Sequence, residues 1–97
     1  MIEKIWLVIQ ESNVDGEILI NVVPCASEEA AMKIVQEEKE TLFSDSYFSQ
    51  ALPYYEGSEN MDECPFEWDE SKSGFNINAL YDNYYEDISI VEKQIQF

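Results

Sequence analysis

Histidine and arginine are absent from this chain of 97 residues, and its only basic side chains are five lysines. Those two gaps exclude much chemistry. Without histidine, neither a Ser-His-Asp nor a Cys-His arrangement can be assembled. Two cysteines alone leave a tetrahedral zinc site short of ligands. Without arginine there is no forked clamp for a phosphate, and no Gly-x-Gly-x-x-Gly or Gly-x-x-x-x-Gly-Lys segment takes its place. Carboxylate-only acid-base chemistry survives that inventory, but a domain this small offers little room for a cleft. The expectation is a protein that is not an enzyme and has no cofactor. Apolar runs are short as well, none approaching the ~20 residues needed to cross a bilayer. The opening Met1-Ile2-Glu3-Lys4 has no secretory pattern, so a cytoplasmic protein is expected, with Cys25 and Cys64 as free thiols. Cys25 precedes a helix start, which favours a reactive thiolate, but Glu28 and Glu29 oppose that field. A buried structural thiol is the better reading.

What the chain has in abundance is acid. Twenty-one Asp and Glu residues set the net charge at −16. That charge repels phosphate backbones and anionic lipid, so direct nucleic-acid or membrane binding is not expected. It favours cations and basic protein surfaces. Disorder is a poor reading nonetheless, because 45% of the residues are hydrophobic and 13% aromatic, enough to build a core. Length points to one domain over residues 1–97.

Periodicity supplies the elements. Ile2 to Gln10 carries apolar residues on both faces, as an interior strand does. Ser12 to Gly16 reads as a turn, with Asp15-Gly16 supplying the positive φ of a tight hairpin. Glu17 to Cys25 is the return strand, and Pro24, lacking an N–H, is expected to end the ladder. Ser27 is a helix N-cap, followed by a stripe of Ala31, Ile34, Val35 and Leu42 to about Phe43. Ser44 to Asn60 shows no clean period and reads as an ordered loop rich in tyrosine, with a short helical turn or strand near Leu52 to Glu56. Phe66 and Trp68 alternate with Glu67 and Asp69; Ser71 to Gly74 turns; Phe75, Ile77 and Ala79 alternate on the return. Glu86 to Phe97 is a last strand whose phase shift between Ile90 and Val91 suggests a bulge. The expected fold is α+β, in the order β-β-α-β-β-β: an antiparallel sheet of about five strands with one amphipathic helix on a face. The second face needs cover too, from the aromatic loop or from a second copy of the chain.

Three constellations are candidates for binding. Glu67 and Asp69, alternate residues on one strand face, place carboxylates ~6.6 Å apart, a spacing suited to imitating a nucleic-acid backbone before a basic protein. Tyr81, Tyr84 and Tyr85 lie among Asp82, Glu86 and Asp87, joining rigid contact area to steering charge. Asp82, Asn83, Glu86 and Asp87, all oxygen donors, are the candidate calcium ligands; Asn60, Asp62 and Glu63 form a second such cluster. Neither has the Asp-x-Asp-x-Asp-Gly spacing of a calcium loop. The expected partners are a basic protein or, as a homodimer, another copy of the chain.

Ile5-Trp6-Leu7-Val8-Ile9, Val14-Asp15-Gly16, Pro24-Cys25-Ala26 and the run from Tyr81 to Asp87 together resemble small acidic proteins of gut bacteria and their phages or mobile elements. That group has no assigned activity. The resemblance implies an accessory role and carries over no functional residues.

Overall fold

The computed structural model describes residues 2–45 and 47–96. Met1, Ser46 in the expected loop, and Phe97, expected to close the last strand, lie outside them. Five strands form one antiparallel sheet: β1 (Ile2–Val14), β2 (Glu17–Cys25), β3 (Phe66–Ser71), β4 (Gly74–Ala79) and β5 (Tyr84–Gln96). Their spatial order is β2-β1-β5-β4-β3. Helix α1 (Glu28–Asp45) follows β2, then a 3-10 turn (Tyr47–Ala51) running into the short α2 (Leu52–Tyr55), then a second 3-10 turn (Met61–Glu63). The α+β class and the chain order of strands and long helix are as the sequence implies. The helical turn expected near Leu52 to Glu56 is α2, and its strand alternative does not hold; the loop expected from Ser44 is instead taken up first by the end of α1 and the 3-10 turn Tyr47–Ala51.

Local chemistry explains the joints. Asp15 and Gly16 sit at φ 53° and 91°, the two left-handed positions of a two-residue hairpin loop. The loop is shorter than the sequence suggests, because Ser12, Asn13 and Val14 remain in strand and pair with Leu19, Ile18 and Glu17. The Ser27 hydroxyl accepts from the Ala30 N–H and caps α1. Pro24 does not end the ladder: it pairs with Leu7, and Cys25 beyond it pairs with Trp6. Since β2 is an edge strand, proline is tolerated wherever its missing N–H would face outward.

Register divides the sheet into two unlike faces. Trp6, Val8, Val23, Cys25, Phe66, Trp68, Phe75, Ile77, Ala79, Ile88 and Ile90 share the side covered by α1 and the aromatic segment. Val8, Ile77 and Ile88 are the largest side chains sealed there, each contributing about 1.5–3 kcal/mol by leaving water. Ala31, Leu42 and Phe43 of α1 are buried against them. The aromatic segment does not supply the expected second cover. Tyr47 stacks on Tyr84 and Tyr55 meets Trp68 and Phe75 edge-on, so the aromatic segment shares the helix's side. Ile5, Leu7, Ile9 and Val91 line the other, open face and belong to no core cluster among the described residues.

That open face also removes the expected bulge. β5 pairs with β1 without interruption from Ile2↔Gln96 to Val14↔Tyr84. Ile90 faces the helix and Val91 the open side, so two adjacent apolar residues need no slip in phase.

Gly74 lets β4 lie close against β5: a Cβ there would lie 2.3 Å from the Ile88 carbonyl oxygen. Replacement Gly74→Ala is expected to push β4 off β5 and destabilise the fold by about 1–3 kcal/mol. A urea titration checks it, through a lowered midpoint at unchanged slope.

Candidate functional site

On the open face, strand register collects acids that are far apart in sequence. Glu11 stands directly opposite Asp87, Asp87 opposite Asn76, and Asn76 opposite Asp69. The next row runs Asn13, Tyr85, Asn78, Glu67. All of these except the buried Asn13 line an open concavity of about 640 Å3: Glu11, Glu67, Asp69, Asn76, Asn78, Tyr85 and Asp87. No lysine is among the described residues that line it. Like charges directly across an antiparallel pair are unfavourable, so Glu11 facing Asp87 is an arrangement that a cationic group would relieve.

Tyr85 is anchored within this patch. Its hydroxyl donates to the Glu11 carboxylate, and that hydrogen bond, helped by burial and the Glu11 charge, raises the phenol above its ordinary pKa. The ring thereby stays neutral and fixed.

Of the candidates read from sequence, Glu67, Asp69, Tyr85, Glu86 and Asp87 all line the concavity. Glu86 does so from a strand position whose side chain belongs to the covered side, where it accepts from the Ser12 hydroxyl at 2.7 Å. Tyr84 is on that side too, stacked on Tyr47 at 4.5 Å between ring centroids. Tyr81 stands apart in the turn before β5, 83% exposed. Sequence reasoning missed Glu11, Asn76 and Asn78. Their strand phase was legible, but only the order β1-β5-β4-β3 brings them beside Asp87 and Asp69.

The candidate calcium ligands are not gathered. Asp82 accepts from the Tyr47 hydroxyl, Asn83 accepts from the Asn13 amide at 2.8 Å, Glu86 is held by Ser12, and Asp87 lies in the concavity. Asn60 spends its side-chain oxygen on the Asp62 N–H as the cap of a 3-10 turn. Among the described residues no three His, Cys, Asp or Glu side chains converge as a ligand set. Cys25 and Cys64 are free and buried, with Cys64 Sγ donating to the Phe66 carbonyl at 3.3 Å.

Two further charged groups serve the covered side. Lys39 donates to Tyr55 and Glu70 and lies 5.7 Å from the Tyr55 ring centroid. Burial works against its charge, but the Glu70 and Tyr55 hydrogen bonds outweigh it and raise its pKa; the Lys39 bond, and another donated by the Tyr55 hydroxyl at 2.8 Å, lower that of Glu70. The pair's contribution is lost as pH falls through the lowered Glu70 value or rises through the raised Lys39 value.

Comparison with protein-family models, curated proteins and solved structures returns no match. No described helix is long and apolar enough to cross a membrane.

Glu86 gives the site a pH signature. Burial raises its pKa, the Ser12 and Gln10 hydrogen bonds oppose that, and the Glu38 charge adds to it. The folded chain therefore holds this proton more tightly than the unfolded one, and stability falls as pH rises through the raised value. Glu86→Gln is expected to melt above the parent at pH ~7 and level with it below pH ~4, the ordinary glutamate range. Thermal melts across that interval measure the difference.

Proposed function

We propose that this chain is a non-catalytic, acidic protein-interaction domain whose open sheet face receives a basic protein, acting as an inhibitor or a nucleic-acid-mimicking decoy. The observation that carries this reading is the pair of cross-strand rows containing Glu11, Asp87, Asp69 and Glu67 around Tyr85, with no lysine lining the concavity among the described residues. Carboxylates on neighbouring strands are ~4.8 Å apart and those on alternate residues of one strand ~6.6 Å apart. A lysine- or arginine-rich surface meets such a grid with several charges at once. The net charge of −16 would steer encounter at low salt, and Tyr85 supplies a rigid ring at the centre of contact. Asn76 and Asn78 add neutral donors and acceptors between the charges.

Capture from host lysate at ~0.15 M and ~1 M salt tests the reading, since the Debye length shrinks about threefold between them. A basic protein retained at low salt, released at high salt and displaced by added duplex DNA is the expected result. The triple variant Glu67→Gln, Asp69→Asn, Asp87→Asn is expected to weaken retention at least ~10-fold, as loss of several charge pairs at about 0.5–1 kcal/mol each implies. Retention that ignores both salt and the triple variant would sink the proposal.

A further inference from the structure

The two edges of the sheet are built in opposite ways. β3 has six residues and carries Glu67, Asp69 and Glu70; a short, charged edge resists pairing with another chain. β2 has nine residues, of which only Glu17 is charged. It exposes Ile18, Leu19, Ile20 and Val22 to between 48% and 64% of their surface. In a chain with net charge −16, one edge has been left free of the acid that guards the other.

Register identifies which main-chain groups of that edge are free. A two-residue loop with both residues at positive φ makes Val14 and Glu17 a hydrogen-bonded pair. Along an antiparallel ladder such pairs alternate with pairs whose N–H and C=O turn away from the partner strand. Glu17, Leu19, Asn21, Val23 and Cys25 therefore bond inward to β1, and Ile18, Ile20, Val22 and Pro24 face outward. Pro24 has no N–H to present. The outward main-chain groups of Ile18, Ile20 and Val22 bond to no other element among the described residues.

We propose that this edge pairs antiparallel with β2 of a second copy, about a two-fold axis at Ile20, joining the two sheets into one. The outward groups are self-complementary in that register. Ile20 falls opposite its equivalent and Ile18 opposite Val22, so that about six main-chain hydrogen bonds form. Pro24 falls opposite the Gly16 turn, outside the ladder, where its missing donor costs nothing. Opposed residues share a face, so Ile18, Ile20 and Val22 of both copies join in one apolar row on the open side.

Charge decides in favour of a second copy over a basic strand. β2 offers a basic partner nothing to prefer, whereas it is itself the kind of uncharged, apolar strand that its edge accepts. Nor does the net charge forbid the dimer. β3 lies four strands from β2, ~19 Å at ~4.8 Å per strand, more than twice the ~8 Å Debye length at physiological salt. The two Glu17 residues, six positions out of register, are ~20 Å apart. An edge of this length buries less than the ~800 Å2 per partner of a standard interface, which places the dimer among the weaker, reversible ones. It leaves both acidic concavities open on the same side of the joined sheet. The proposal is independent of what those concavities bind.

Sedimentation equilibrium of the full chain from ~1 to ~200 μM, a range that brackets weak association, is the test. A monomer–dimer equilibrium at least as tight at ~1 M as at ~0.15 M salt is expected, since screening weakens repulsion between like-charged copies. Ile20→Pro removes an outward N–H and leaves the β1 ladder its donors; it is expected to weaken the dimer ~10-fold or more. Ile20→Lys, a charge on the edge, is the control should the proline variant fail to fold, and the same loss is expected. Leu7→Gln, one strand in on the open face, is expected to leave the dimer unchanged. A chain that stays monomeric throughout overturns the proposal. So does a dimer weakened as much by Leu7→Gln as by Ile20→Lys, because its copies would then meet face to face.

Discussion

Thirteen consecutive residue pairs join β1 to β5, and every other element takes its place from that ladder. β2 hangs on one side of it through the Asp15-Gly16 loop, and β4 with β3 on the other. The far end is clasped by polar groups: the Asn13 amide donates to Asn83 at 2.8 Å, and the Asp15 N–H to the Asn83 carbonyl at 2.9 Å. Asn13 also accepts from the Gly16 N–H, so a single buried asparagine ties the hairpin tip to the turn that starts β5. Because side chains alternate strictly along a strand, fixing this one register fixes which residues every strand shows to the helix and which to the open side.

The two sides then follow different physics. The covered side is held by area and by rings, with Tyr47, Phe48, Phe66 and Tyr84 in one set of edge-on and stacked contacts and Phe43, Tyr55, Trp68 and Phe75 in a second, edge-on and tilted set. Lys39 is the one described lysine drawn into that set, and it meets Glu70 there. The open side is divided along the strands. One end carries Ile5, Leu7 and Ile9 against Val91; the other carries the carboxylates around Tyr85. No described Asp or Glu is fully buried; Glu86 is half-buried, and that burial raises its pKa.

How much of this was legible in the chain depends on how local the signal is. Asp15-Gly16 names its own turn, Ser27 its own cap, and Phe75, Ile77 and Ala79 their own alternation, because each rests on residues a few positions apart. Three features were not local. The apolar open face made Ile90-Val91 look like a slipped phase, when it marks a strand apolar on both sides. Pro24 looked like a terminator because only the edge position of β2 makes a missing N–H harmless. Glu11 falls between the expected strand and turn, and nothing within ten residues says that Asp87 will stand across from it. The tyrosine run from Tyr81 to Tyr85 stands out in the sequence, but alternation sends Tyr84 and Tyr85 to opposite sides of the sheet.

The ladder at the centre of the sheet also has a temporal meaning. Ser12 meets Glu86 at a sequence separation of 74 positions. As synthesis proceeds, the β1–β2 hairpin emerges early with one of its long sides vacant, and the strand that fills that side is the last of the five to be made. Non-local pairing of this kind is slow, and exposed strand edges are vulnerable while it is pending. A nascent hairpin that is apolar on both faces has to be kept apart from its neighbours for most of the time its own chain is being built. The acid concentrated in α1 and the segments after it, which emerge during that wait, gives the unfinished chain a like charge that slows its encounters with other copies.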